Sequence, residues 1–160
     1  MTETLTKHER NLSAIIHAST FSKYFIPFGN FILPLVLWIA NKKEYGFVDY
    51  NGKQALNFQI SLFLYSIILG IISVPFFIGF LPEIFHWGHF SFEDFENFNV
   101  FNFDLDYGNF KFGRYLVPLG IAGLLQAGLF IVNIVYTILA TIRTSEGQYF
   151  KYPLTINFVK

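Results

Sequence analysis

Residues 54–82 read QALNFQISLFLYSIILGIISVPFFIGFLP, an uninterrupted run without Asp, Glu, Lys or Arg. A second uncharged run, residues 115–142, reads YLVPLGIAGLLQAGLFIVNIVYTILATI. Each is longer than the roughly 20 residues that a helix needs to cross about 30 Å of hydrocarbon. The two runs therefore predict two transmembrane helices, one from about Asp49 to Leu81 and one from about Arg114 to Ile142.

The composition agrees with a membrane protein. Of 160 residues, 53% are hydrophobic and 14% charged, whereas a soluble domain carries roughly 25% charged residues. The net charge is zero and no basic tract is present, which argues against a nucleic-acid partner. The absence of Cys excludes disulfides and Cys-based metal sites. The length predicts one transmembrane domain over residues 1–160.

The region before the first run has two readings. Tyr24 to Asn41 can form one Pro-kinked span. Alternatively, Leu12 to Tyr24 and Phe31 to Ala40 form two short helices that reverse at residues 27–30, where Pro and Gly favour a turn. The second reading predicts an all-α membrane protein with four membrane-embedded helices, of which the first two form a short hairpin.

Basic residues near the ends of spans favour the cytoplasmic side, and this bias favours the hairpin. With a hairpin, only Lys23, Lys111 and Arg114 lie outside. The other basic residues share the side of both termini: Lys7, Arg10, Lys42, Lys43, Lys53, Arg143, Lys151 and Lys160. We therefore expect a multi-pass protein of the cell inner membrane with cytoplasmic termini.

Both predicted spans carry a thin stripe of polar residues. In the first span the stripe has one residue every four positions, with Gln54 beside it: Lys53, Asn57, Ser61 and Tyr65. In the second span Gln126, Asn133 and Thr137 lie on nearby faces. Such side chains avoid lipid, so they face protein or a water-filled groove. We favour contacts between helices, and take Lys53, Gln54, Asn57, Gln126 and Asn133 as candidate interaction residues.

Residues 83–112 form a connection rich in Phe, Asp and Glu, with Lys111 as the one base before Phe112. Its acidity fits an external insert. Its aromatic residues are typical of segments that lie on the bilayer surface. We expect this insert to be dispensable for folding but needed for an external contact.

The sequence offers little catalytic chemistry. Glu83, His86 and His89 follow at three-residue steps, a spacing compatible with a metal site but equally with polar residues at the membrane interface. His17 is isolated among apolar residues and fits a buried, hydrogen-bonded histidine, or one at the membrane interface, better than a proton relay. No nucleotide-binding or protease motif is present, and the two uncharged runs contain no carboxylate. We predict no enzyme activity, no cofactor and no metal.

The C-terminal tail, Tyr152 to Lys160, is too apolar for a solvated end. Its alternation of apolar and polar residues after Pro153 predicts an extended segment, whose backbone needs hydrogen-bond partners. We expect the tail to pack as a cap near Phe47, Val48 and Lys53, with Lys53 and Asn57 bound to it. Tyr152 and Pro153 complete the candidate interaction residues.

Three stretches carry a family resemblance: 25–38, which contains FIPFGN and PLVLW, 47–60, FVDYNGKQALNFQI, and 147–156, GQYFKYPLTI. Together they resemble an uncharacterised bacterial family described as Tic-twenty-like, which is distantly similar to a component of the chloroplast inner-envelope import machinery. The resemblance covers nearly the whole chain except residues 83–112. It implies a helical membrane protein connected with protein export or membrane-protein biogenesis.

These observations favour a non-catalytic accessory or structural subunit of a membrane complex, whose partners are the lipid bilayer and other membrane proteins. A small oligomeric channel or transporter is the alternative, and continuous water along Asn57, Gln126 and Asn133 would favour it. A membrane enzyme that uses His86 and His89 would require a bound metal.

The predicted topology can be tested by labelling. We expect Ser145→Cys to react with a membrane-impermeant maleimide only from the cytoplasmic side, and Ser91→Cys only from the opposite side, because the basic residues fix the orientation. The natural chain has no Cys, so the background is clean. Labelling of both positions from one side would contradict this topology.

Overall fold

A computed structural model describes residues 5–84 and 112–160, with side chains over residues 5–81 and 114–160. This part of the chain contains four α-helices and one short 3-10 helix, and no strand. The elements are α1 (Lys7–Ser19), the 3-10 helix (Thr20–Tyr24), α2 (Gly29–Asn41), α3 (Gly46–Ile84) and α4 (Phe112–Ser145). The all-helical prediction is confirmed for the described residues, whereas the side chains of the insert lie outside them.

α1 begins at Lys7, earlier than the predicted Leu12. The Thr6 side chain accepts a hydrogen bond from the backbone N–H of Glu9, and the Glu9 carboxylate accepts one from the backbone N–H of Thr6 at 2.7 Å. This reciprocal capping box satisfies two amide groups that the first turn of a helix leaves without partners. The helix therefore includes polar residues that precede the start predicted at Leu12.

The chain breaks between α1 and α2, so two separate short helices are present and no continuous helix runs from Tyr24 to Asn41. Phe28 adopts a left-handed conformation with φ of 59°. A Cβ on Gly29 would lie 2.6 Å from the Ser22 hydroxyl, so only Gly lets α2 begin this close to the 3-10 helix. The break is built from backbone geometry that a continuous helix cannot adopt.

α3 and α4 contain the two segments long and apolar enough to cross a membrane, Gly46–Leu81 and Arg114–Ser145. Only 6% of the most hydrophobic window of the first segment, and 0% of that of the second, is buried within the protein. A soluble core helix would bury such residues. Both long apolar helices predicted from the sequence are therefore present, and their apolar surfaces face outwards, as expected of a membrane protein.

The chain divides into two compact units. The first contains Met1–Ser66 and Gly128–Lys160, and the second contains Ile67–Ala127. The first unit holds two clusters of buried apolar residues. One consists of Ile16, Trp38, Val48, Ala55 and Leu56, and the other of Phe58, Leu62, Ala140 and Tyr152. In the second unit Gly79 lies against the ring of Tyr115.

α2 and α3 approach closely at Gly52. A Cβ added there would lie 2.3 Å from the indole ring of Trp38. Trp38 is buried, and its indole N–H donates to the Asp49 carboxylate at 2.9 Å. The ring therefore cannot move aside without loss of this hydrogen bond, and Gly52 sets the distance between the two helices.

Gly52→Ala is expected to destabilise the protein by about 1–3 kcal/mol, because the new methyl group overlaps a packed ring. Gly128→Ala is the matched control, since a Cβ at Gly128 meets nothing within 4 Å. The control should be neutral or more stable by about 0.5–1 kcal/mol, the usual gain from Gly to Ala within a helix. Thermal unfolding in detergent measures both, and equal midpoints would disprove this account of Gly52.

Candidate functional site

A buried histidine cluster joins α1, α3, α4 and the tail. It consists of His17, Asn51, Thr144 and Tyr152. Asn51 Nδ2 donates to the backbone oxygen of Phe47 at 2.9 Å, which leaves Asn51 Oδ1 as an acceptor. His17 Nε2 lies 3.2 Å from that oxygen and donates to it, while Thr144 donates to it at 3.4 Å. His17 Nδ1 then accepts from the Tyr152 hydroxyl at 2.9 Å. One tautomer of neutral histidine thus satisfies every contact of its ring.

The surroundings of the cluster keep it uncharged. His17 is completely buried, and this burial lowers its pKa to about 4, while the hydrogen bond with Asn51 acts in the opposite direction. Burial raises the pKa of the Tyr152 phenol. Near neutral pH the chain of donors and acceptors therefore holds its segments together and carries no charge. His17 is a buried, hydrogen-bonded histidine, as the sequence favoured.

Tyr152 anchors the start of the tail. Its ring stacks on Phe58 with centroids 4.1 Å apart, and Phe150 packs edge-on at 5.0 Å. Immediately after Tyr152, Pro153 and Leu154 form a turn, with Leu154 in a left-handed conformation at φ of 58°. The chain then returns along α3 in the opposite direction. Tyr152 and Pro153, both singled out from the sequence, lie where the chain enters and reverses at this site.

The returning tail lies against a tail cradle, which consists of Asn57, Ser61 and Tyr65 on α3. Asn57 Oδ1 accepts from the backbone N–H groups of Phe158 at 3.0 Å and Val159 at 2.7 Å, and Asn57 Nδ2 donates to the Val159 carbonyl at 3.0 Å. The remaining two contacts are between Ser61 Oγ and the Ile156 N–H at 2.8 Å, and between the Tyr65 hydroxyl and the Leu154 carbonyl at 3.0 Å. The cradle therefore holds the tail by its backbone.

The tail prediction is right about Asn57 and wrong about Lys53. Lys53 Nζ lies 2.6 Å from Asp49 Oδ2, one turn earlier on α3. A carboxylate on its own helix attracts the ammonium group more strongly than a neutral tail carbonyl. Gln54 does face the tail, and accepts from the Tyr152 N–H at 3.4 Å. The tail also reaches Tyr65, farther along α3 than a cap near Phe47 and Val48 would reach.

An amide ladder joins α2, α3 and α4. It consists of Asn30, Gln59 and Asn133. Gln59 Oε1 accepts from Asn133 at 3.2 Å and from Asn30 at 3.1 Å, and Thr137 donates to Asn133 at 3.4 Å. Asn133 thus contacts another helix, as the stripe on α4 suggested. Gln126 belongs to the other unit and is exposed.

Sequence reasoning missed Gln59 and Asn51. Gln59 stands between Phe58 and Ile60 within an uncharged run, which is itself a signal that its amide requires a partner within the protein. Asn51 stands three residues before Gln54 in one of the stretches quoted above. Among the residues whose side chains are described, no group of three or more His, Asp or Glu could hold a metal ion. The side chains of Glu83, His86 and His89 lie outside that part of the chain.

A sequence model of the magnetosome magnetite crystal formation protein family (MamF/MmsF) matches residues 8–159. The match spans nearly the whole chain, which therefore belongs to this family. No curated protein and no solved structure matches the chain. The resemblance to a Tic-twenty-like family is wrong, since all three stretches that carried it lie within the matched range. The suggestion of protein export therefore loses its support.

Acidification should weaken the fold through His17. Because its pKa is lowered from 6.5 to about 4, the folded state binds fewer protons than the unfolded chain between these values. Stability is complete above pH about 6.5 and falls as the pH drops towards about 4, by about 3 kcal/mol in total. The unfolding midpoint of the wild type should therefore fall more steeply with acidification than that of His17→Gln. His8→Gln is the control, because His8 is exposed, and equal slopes for the wild type and His17→Gln would contradict this role.

Proposed function

We propose that this member of the magnetosome magnetite crystal formation family is a multi-pass, non-catalytic membrane protein. It acts in crystal formation as a structural subunit of a complex in the membrane that surrounds the crystal. The observation that carries the proposal is the family match over residues 8–159. The two apolar helices support the membrane location. A structural role then requires that the protein act through its lipid-facing and partner-facing surfaces.

In the proposed arrangement α3 and α4 cross the membrane, and both termini are cytoplasmic. α2 is apolar but has 13 residues, about 20 Å at 1.5 Å per residue, too short to cross. Five of its large apolar side chains are exposed: Ile32, Leu33, Leu35, Val36 and Ile39. These features support a helix embedded in one leaflet. α1 is more polar and accompanies α2 without crossing.

The use of the buried polar groups supports a non-catalytic role. His17, Tyr152 and Asn51 bind one another, and Gln59 binds Asn133. Each of these side chains joins segments of the protein, whereas a catalytic group must face substrate. The buried polar side chains of the first unit thus stabilise the structure of that unit.

The same contacts favour the subunit over a channel. Of the three side chains proposed to line a water path, Asn57 and Asn133 are buried and hydrogen-bonded to protein. These polar side chains therefore stabilise the packing of the tail and of a neighbouring helix. We therefore advance the structural subunit as the function.

Deletion of the gene in a magnetite-forming cell is expected to change the number, size or shape of the crystals, and the wild-type gene on a plasmid should restore them. The tagged protein should fractionate with the crystal-bearing membranes. Electron microscopy and membrane fractionation measure these outcomes. Normal crystals after deletion, or a protein absent from those membranes, would contradict the proposal.

A rescue variant separates a structural role from catalysis. Replacement of Glu83, His86 and His89 together by Gln removes the metal-type spacing noted in the sequence but leaves the spans intact. A structural subunit should rescue crystal formation fully with this variant. Loss of rescue at wild-type protein abundance would instead favour a metal-dependent activity.

A further inference from the structure

The tail presents an apolar row on the side away from its cradle. Leu154, Ile156 and Phe158 are 61%, 40% and 47% exposed, whereas Val159 packs against the buried cluster that contains Trp38. All three residues belong to the stretch whose backbone is hydrogen-bonded to the cradle. The tail therefore has an inner edge fixed by hydrogen bonds and an outer face of large apolar side chains.

The cradle provides the hydrogen bonds that non-helical backbone requires in lipid. A bilayer offers no water, so an extended segment at that depth must have its N–H and C=O groups satisfied by protein. The Leu154 C=O, the Ile156 and Phe158 N–H groups and both backbone groups of Val159 are bonded to cradle side chains. In water these groups would bind solvent and would not need the cradle side chains.

The charges of the tail fit a membrane surface. Lys151 and Lys160 stand at its two ends and are exposed, and residues 148–160 contain no Asp or Glu. Lysines that flank an apolar segment extend to the headgroups and are attracted by anionic lipid. The tail thus combines apolar side chains with flanking positive charge, the two signals of an interfacial anchor.

We propose that the tail is a membrane anchor: Leu154, Ile156 and Phe158 insert into the lipid of one leaflet, the cradle holds their backbone at that depth, and Lys151 and Lys160 contact anionic headgroups. The inference rests on the membrane location proposed above. Lipid is favoured over a second copy of the chain, since three half-exposed side chains offer far less than the roughly 800 Å² that each partner buries in a stable interface.

Single cysteines in the otherwise Cys-free, full-length protein test the anchor. Leu154→Cys, Ile156→Cys and Phe158→Cys would each carry a fluorophore in phosphatidylcholine–phosphatidylglycerol vesicles. Nitroxide-labelled lipid and aqueous iodide serve as quenchers. Ile131→Cys, exposed on α4, is the reference for lipid, and Gln148→Cys, exposed before the tail, is the reference for water.

The anchor predicts that the tail labels resemble Ile131→Cys, with lipid quenching severalfold above that of Gln148→Cys. Quenching by iodide as at Gln148→Cys would overturn it, and so would shielding from both quenchers, which would indicate a protein partner. If Ile131→Cys itself is quenched by iodide and not by lipid, the membrane location fails as well. The reference thus distinguishes failure of the anchor alone from failure of the proposed function.

Two serines of α3 provide a matched test of the cradle. Ser61 and Ser73 each donate to the backbone carbonyl four residues earlier, but Ser61 also accepts from the tail at Ile156. With a label at Phe158→Cys, Ser61→Ala should raise iodide quenching severalfold and Ser73→Ala should leave it unchanged. Equal quenching in the two variants would overturn the role of the cradle.

Lipid charge tests the two lysines. Omission of phosphatidylglycerol should raise the quenching of the label at Phe158→Cys by iodide. The substitutions Lys151→Gln and Lys160→Gln should do the same, by roughly fivefold for each lysine lost. Quenching independent of both changes would overturn the contact with anionic headgroups.

Discussion

Backbone groups that do not meet water must meet a partner within the protein, and this requirement governs the structure around α3. A helix satisfies it internally, but the extended tail does not. Asn57, Ser61 and Tyr65 supply the missing partners at four-residue intervals on one face of α3. A polar stripe that looks out of place in an apolar helix is thus the complement of a non-helical segment that packs along it.

The histidine cluster meets the same requirement at the start of the tail. Neutral imidazole supplies one donor and one acceptor in fixed directions, and these match Asn51 and Tyr152. Protonation would place a charge in a fully buried site, which is why the pKa of His17 is low. The tail is therefore fixed at one end by a side chain in the cluster and along its length by its backbone in the cradle.

Sequence features predicted the parts of the fold that local chemistry controls. Uncharged runs predicted the two long apolar helices, and Pro27 and Gly29 predicted the break before α2. The early start of α1 was missed, although Thr6 and Glu9 form a capping signal that can be read directly from the sequence. Hydropathy alone predicts too late a start for a helix whose first turn is polar.

The partners of the buried polar residues were beyond sequence reasoning. His17 and Asn51 are 34 residues apart, and Gln59 and Asn133 are 74 apart. Periodicity shows which face of a helix carries a polar group but not which distant segment will meet it. Lys53 illustrates the limit: it shares a stripe with Asn57, yet the nearby Asp49 binds it instead.

A protein that uses its buried polar side chains internally must make its external contacts with what remains. In the proposed topology the outer surfaces of α2, α3 and α4 are apolar and face lipid, so polar partners meet the chain at the two membrane surfaces. In that topology the two surfaces would differ: Lys42, Lys43, Lys151 and Lys160 would lie on one side, and residues 83–112, which contain six of the eleven Asp and Glu residues, on the other. Under the proposed topology a net charge of zero would combine a basic side with an acidic one, and a partner on either side would meet an opposite electrostatic potential.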